Sequence, residues 1–197
     1  MKTSTHKKLF SIIIAFAVLL SACGAPPAVN AAQSNLKRIT SPNVPLDDSQ
    51  ALVDGNNAFA LDLYQTLRSQ NGNLILSPFS ISLALAMTYA GARGETESQM
   101  ADVLHFDLPQ GGLHPAFNAL DQELASRGES GSDEDEPLQL NIANAVWAEQ
   151  TYPFLQEFLD LIASNYGAGI RLADFINQFE NIRKEINDWV YDETQKK

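Results

Sequence analysis

The side chains that could do chemistry are few and far apart. Cys23 is the single cysteine, so the chain can close no internal disulfide, and the residue has no thiol partner for a zinc site. His105 and His114 have neither a nearby cysteine nor a carboxylate at ligand spacing, and they are expected at surface or helix-end positions. Asp133, Glu134, Asp135 and Glu136 are consecutive within GESGSDEDEP, whereas a calcium loop places its carboxylates at alternate positions around a glycine. The run therefore reads as a solvated loop. Ser130 in the same stretch lacks the G-x-S-x-G of a nucleophile elbow. The patterns G-x-x-x-x-G-K-[ST], G-x-G-x-x-G and H-E-x-x-H are absent. No nucleophile, base and orienting group stand at recognisable spacing, so the expectation is a protein that is not an enzyme, with no metal and no cofactor.

Cys23 has a different chemistry open to it. Lys2, Lys7 and Lys8 precede the apolar stretch 9–20, which suits a signal-peptide core and falls short of the roughly 20 residues a bilayer span needs. Leu20-Ser21-Ala22-Cys23 resembles the bacterial lipobox, in which the cysteine is lipidated and becomes the first mature residue. On this reading residues 1–22 are a signal peptide. The competing reading is an ordinary signal cleaved later, for example after Ala31. Residues 23–46 contain Pro26, Pro27, Pro42 and Pro45 without helical or alternating pattern, and they read as a linker reaching roughly 25 Å if flexible. The protein is expected to be exported and either lipid-anchored through Cys23, at the cell surface or in the periplasm, or secreted.

The composition, 45% hydrophobic and 19% charged over 197 residues, is that of a globular domain. A formal net charge of −11 and the lack of a basic stripe with interleaved aromatics argue against a nucleic-acid partner or an anionic membrane surface.

The elements that would position anything are legible from residue 47 onward. Phe59, Leu63 and Leu67 make one helical stripe. Leu74-Ile75-Leu76 reads as a short strand, and Ser77-Pro78 as a helix start in which serine accepts from open amides and proline needs no donor. From Ile81 to Ala90 nearly every residue is apolar or small, which predicts a helix enclosed on all sides and ended at Gly91. Thr96 and Gln99 have capping-box spacing before Met100, Val103 and Leu104. A helix over 115–126 carries Phe117, Leu120 and Leu124. Leu138, Leu140, Ile142 and Val146 alternate as a strand. Pro153 is expected to open a helix with Leu155, Phe158, Leu159 and Ile162 inward and Gly167 at its end. A strand follows over 170–175. Asn177 and Glu180 should cap a last helix that turns Phe179, Ile182, Ile186 and Trp189 inward.

The order N-x-x-x-S-P-x-S-I-x-x-A-L-x-M followed by GA-x-x-x-T, here Asn73, Ser77, Pro78, Ser80, Ile81, Ala84, Leu85, Met87, Gly91, Ala92 and Thr96, resembles the strand 6B and helix B segment of the serpin family. Ala143-Asn144-Ala145-Val146-Trp147 is similar to the family's strand 2A. The remaining elements follow its order through helices A, C, D, E and F and strand 1A. The resemblance covers 47–197 and implies an α+β serpin fold, present as an incomplete domain: the N-terminal helical half with outer strands of sheet A.

That resemblance carries functional expectations. It implies an inhibitor of serine or cysteine endopeptidases that acts through cleavage and insertion of a reactive-centre loop. The loop and strands 3A, 5A and 6A are expected outside this sequence, so the target protease would be met there. Asn73, Ser77 and Ser80 match buried polar residues of the family's shutter, beneath the opening point of sheet A. Their local reading is a turn residue, a helix cap and a first-turn residue. The helix with Phe117 carries Asp121 and Glu123 where a basic stripe would bind sulfated polysaccharide, so no such partner is expected. The alternatives are a non-inhibitory serpin-fold binding protein or an inactive truncated fragment.

Overall fold

The computed structural model of the protein describes residues 31–32, 34–128 and 142–194. Cys23, Ser130, the acids 133–136 and the expected strand residues Leu138 and Leu140 lie outside them. Among the described residues six helices and a small sheet alternate: β1 (Ala31–Ala32), α1 (Leu46–Leu67), α2 (Pro78–Tyr89), α3 (Glu95–Leu104), α4 (Gln110–Gly128), β2 (Val146–Glu149), α5 (Gln156–Tyr166), β3 (Ile170–Ala173) and α6 (Phe179–Glu193). The sheet order is β1-β3-β2, with β2 parallel to β3 (Val146 opposite Ile170, Trp147 opposite Arg171) and β1 antiparallel to it. The parallel pair is joined through α5, the connection such a pair requires.

Helix α2 lies between two apolar clusters, and this is why it has no polar stripe. Leu83, Ala86 and Tyr89 join Leu52, Phe59, Leu104, Phe106, Leu113 and Phe117 in the larger one. Met87 and Ala90 join Ile162 in the other, flanked by Val146 and Phe158. The enclosure is incomplete. Ile81 and Leu85 are each 37% exposed, so a third side of the helix stands open. Its end also differs from a left-handed glycine: Ala90 caps it in right-handed geometry, and two tight bonds, Gly91 N to Thr88 O and Ala92 N to Tyr89 O, close the last turn.

Several local signals are overridden. Leu74-Ile75-Leu76 is extended but unpaired among the described residues, and Ile75 is 95% exposed; an apolar run becomes a strand only beside another strand. β2 begins at Val146 because its partner begins at Ile170, leaving 142–145 outside the ladder, and β3 stops at Ala173, leaving Phe175 exposed. Thr96 and Gln99 form no capping box. Gly94 holds the N-cap at φ 64°, ψ −130°, a conformation open mainly to glycine, and Gln99 instead donates to Glu95 at 3.0 Å.

Helix α4 starts before Pro115. Gly112 and Leu113 donate to the Pro109 carbonyl at 2.8 and 2.9 Å, adding a first turn, and Pro115 then lies inside the helix without a donor. Helix α5 starts at Gln156, beyond Pro153, so Leu155 is exposed rather than inward, while Gly167 closes it at φ 64° as expected. Asn177 does not cap α6; its amide bonds Asp174 at 3.1 Å, and Glu180 pairs with Arg183 at 2.9 Å. Phe179 faces solvent, where the sequence placed it inward, and so does Val103 of α3.

The stretch 34–45 lies docked on α4 and α5. Ile39 N donates to the Ser164 carbonyl at 2.9 Å, Arg38 reaches Asn118 and Asp121, and Ser34 bonds Asp160. A proline-bearing stretch with no period of its own is ordered here by partners roughly 80 to 126 residues downstream.

Candidate functional site at the start of the core helix

Ser77 enters α2 from extended backbone, φ −116° and ψ 92°. Its Oγ accepts from the Ser80 amide at 3.4 Å, a long cap, and its hydroxyl donates to Ser80 Oγ at 2.9 Å. Pro78 occupies the first helical position, where a missing N–H costs nothing. Ser80 is half-buried, while Ser77 and Asn73 are exposed. The fold thus joins two of the three motif residues. Asn73 stays in the extended stretch upstream and bonds neither.

One turn on, Ser82 is fully buried, and its Oγ has no hydrogen-bond partner among the described residues. Sequence reasoning missed it, because a serine inside an apolar window looks like a tolerated small residue. Asn118 was missed as well. It is fully buried on α4, where its Oδ1 accepts from Arg38 Nε and Gln122 Nε2, both at 2.8 Å, and its Nδ2 donates to the Ile39 carbonyl at 2.8 Å. No local pattern announces it, since its partners come from the docked N-terminal stretch.

The two histidines part company. His105 stands at a helix end as expected, closing α3 in left-handed geometry, and its Nε2 lies 2.8 Å from Asp62 on α1. His114 corrects the expectation: it is only 1% exposed, at the seam between the two clusters. Its Nδ1 lies 2.6 Å from Tyr166 Oη, and its ring meets Tyr166 edge-on at 5.8 Å and Tyr89 at 6.3 Å. Burial first, and the nearby Arg93 second, push its pKa down to about 4. Burial also pushes the Tyr166 phenol well up. Both are neutral at neutral pH, so one hydrogen bond joins Nδ1 and the Tyr166 hydroxyl, its direction set by the imidazole tautomer, while Nε2 finds no partner among the described residues.

This arrangement caps, packs and latches. The one hydroxyl against a histidine described above, Tyr166 on His114, is buried in the core, and no group of three His, Cys, Asp or Glu side chains that could hold a metal is found among the described residues. No described helix is long and apolar enough to cross a membrane.

The alternation of helices with a small sheet and the Ser-Pro start of a doubly buried helix define a serpin-type scaffold, and the sequence matches the family model "Serpin (serine protease inhibitor)" over residues 54–197. The chain belongs to the serpin family. The leukocyte elastase inhibitor A of Mus musculus is 41% identical over 150 residues, covering 75% of this chain and 38% of that protein. The leukocyte elastase inhibitor of Homo sapiens is 39% identical over the same length and coverage. Among solved structures, the native thermophilic serpin tengpin has a TM-score of 0.65 at 27% identity, covering 85% of this chain and 41% of tengpin. Ovalbumin from emu (Dromaius novaehollandiae) has a TM-score of 0.58 at 27% identity, covering 74% and 40%. The chain therefore spans about two fifths of the length of the relatives it matches. It is a member of an inhibitor family, not an enzyme, and its helix-rich architecture with a small sheet is consistent with part of a serpin domain.

Proposed function

We propose that this chain is the N-terminal scaffold of an inhibitor of serine or cysteine endopeptidases that works by cleavage and insertion of a reactive-centre loop. The observation that carries the reading is the 41% identity over 150 residues to a protein named for inhibiting leukocyte elastase. Helix α2 supplies the floor of the moving part, with Asn73, Ser77 and Ser80 as its polar control residues. The Ser77–Ser80 hydroxyl bond at 2.9 Å supports that role, since it couples the helix start to the strand-like stretch before it. The protease-contacting loop lies outside this sequence, and the inhibitor is tethered to a membrane by a lipid on Cys23. Incubating the complete protein with elastase-like, trypsin-like and papain-like proteases should give a covalent complex that survives denaturant; cleavage without any complex refutes inhibition. Labelling with a radioactive fatty acid, retained by the natural chain and lost in Cys23→Ala, tests the anchor.

A further inference from the structure

We propose that the cavity between α6, β3 and residues 142–145 is a binding site for a carboxylate. It encloses about 260 Å³ and is lined by Asn144, Ala168, Gly169, Arg171, Trp189 and Glu193 among others. Arg171 is the cation of its lining. Arg171 on β3 lies over the Trp147 ring at 5.2 Å and over the Trp189 ring at 5.4 Å, so two indoles from different elements hold the guanidinium between them. Among the described residues it forms no ion pair. The register explains the arrangement: Trp147 stands directly opposite Arg171 across the parallel ladder, and α6 brings Trp189 over the same position.

Three donors on residues around Arg171 are orphaned. Asn144 Nδ2, Trp147 Nε1 and Trp189 Nε1 are buried and have no acceptor among the described residues. An orphaned buried donor costs about 1–3 kcal/mol, so three beside an unpaired guanidinium call for a ligand that brings acceptors and a negative charge. The planar fork of arginine matches a carboxylate in two parallel bonds. Glu193 at the rim, in a chain of net charge −11, disfavours a more highly charged ligand such as phosphate. The site therefore fits a singly presented carboxylate, from a small free acid or from the end of a peptide.

The test has a built-in reporter, because the chain has 2 tryptophans and both touch Arg171. Titration of the full chain with succinate and with N-acetyl-triglycine free acid should change tryptophan emission saturably, and succinamide and the peptide amide should not. Whichever acid binds tighter names the source. Arg171→Met should weaken binding about tenfold or more, as expected for losing a charge-assisted pair. Glu193→Gln, at an exposed position that leaves folding intact, should strengthen it about two- to fivefold. No saturable response to either acid, equal response to the neutral analogues, or a Glu193→Gln variant that binds no better would overturn the assignment.

Discussion

Acid should loosen this protein through one side chain, His114. Its folded pKa of about 4 lies below the ordinary value of 6.5, so between those limits the unfolded chain binds a proton that the folded chain refuses. The stabilisation is present above pH 6.5 and is lost as pH falls toward 4. At about 1.4 kcal/mol per pKa unit the full effect is about 3 kcal/mol, of which about 2 kcal/mol falls between pH 7.5 and pH 5. That window lies mostly above the titration of ordinary carboxylates, and about 2 kcal/mol is a sizeable part of a typical domain's stability. The groups facing the imidazole are the Tyr166 hydroxyl, the Tyr89 ring and the Arg93 charge, and none offers an acidic partner to a protonated ring. The assay is urea unfolding at pH 7.5 and pH 5 for the natural protein and for His114→Phe. The variant loses stability at both pH values, because the Tyr166 hydroxyl is left without its imidazole partner, yet its pH dependence should be flatter by about 2 kcal/mol. Equal pH slopes for the two proteins, or an imidazole that titrates near 6.5 by NMR, would refute the reasoning.

Three further substitutions separate local from long-range contributions. Arg38→Ala removes bonds of 2.8 Å to Asn118 and 2.6 Å to Asp121, and thermal unfolding should show a loss of about 1–2 kcal/mol; a loss below about 0.3 kcal/mol would mean that the docked stretch adds nothing. Gly55→Ala places a Cβ 2.2 Å from the His105 carbonyl oxygen, so α1 and the end of α3 must separate; about 2 kcal/mol or more of destabilisation is expected in denaturant melts, and a neutral variant would contradict the close approach. Ser77→Ala deletes a cap whose amide bond is long at 3.4 Å, so stability should fall by only about 0.5–1 kcal/mol; a loss above about 2 kcal/mol would give the hydroxyl a larger role than capping.

Legibility followed the range of the interaction. Pro78 and Gly167 mark helix boundaries where the sequence placed them, since a proline's missing donor and a glycine's left-handed φ act within one turn. Phe59, Phe117, Leu159 and Ile162 are buried as their spacing predicts. The failures are equally particular. Thr96 and Asn177 had the right residue types for caps, but Gly94 and Asp174 offered the backbone and the amide better local partners. Val103, Leu155 and Phe179 kept helical period yet face solvent, because periodicity gives the angle of a face and not whether anything packs on it. Asn73 and Ser77 carry the family motif, while their exposure depends on what stands beside α2.

The sequence by itself determined the family, the helical segments and the absence of recognisable catalytic spacing, because these reside in residue identity and in contacts spanning a few positions. Only the tertiary structure decided that His114 is neutral and buried against Tyr166, that Asp62 answers His105, and that Arg38 reaches Asn118 and Asp121. It also decided that Arg171 stands between two tryptophans with no ion pair among the described residues. Each of these facts is a meeting of side chains from separate elements, and burial shifts a pKa or orphans a donor only once those elements have excluded water between them.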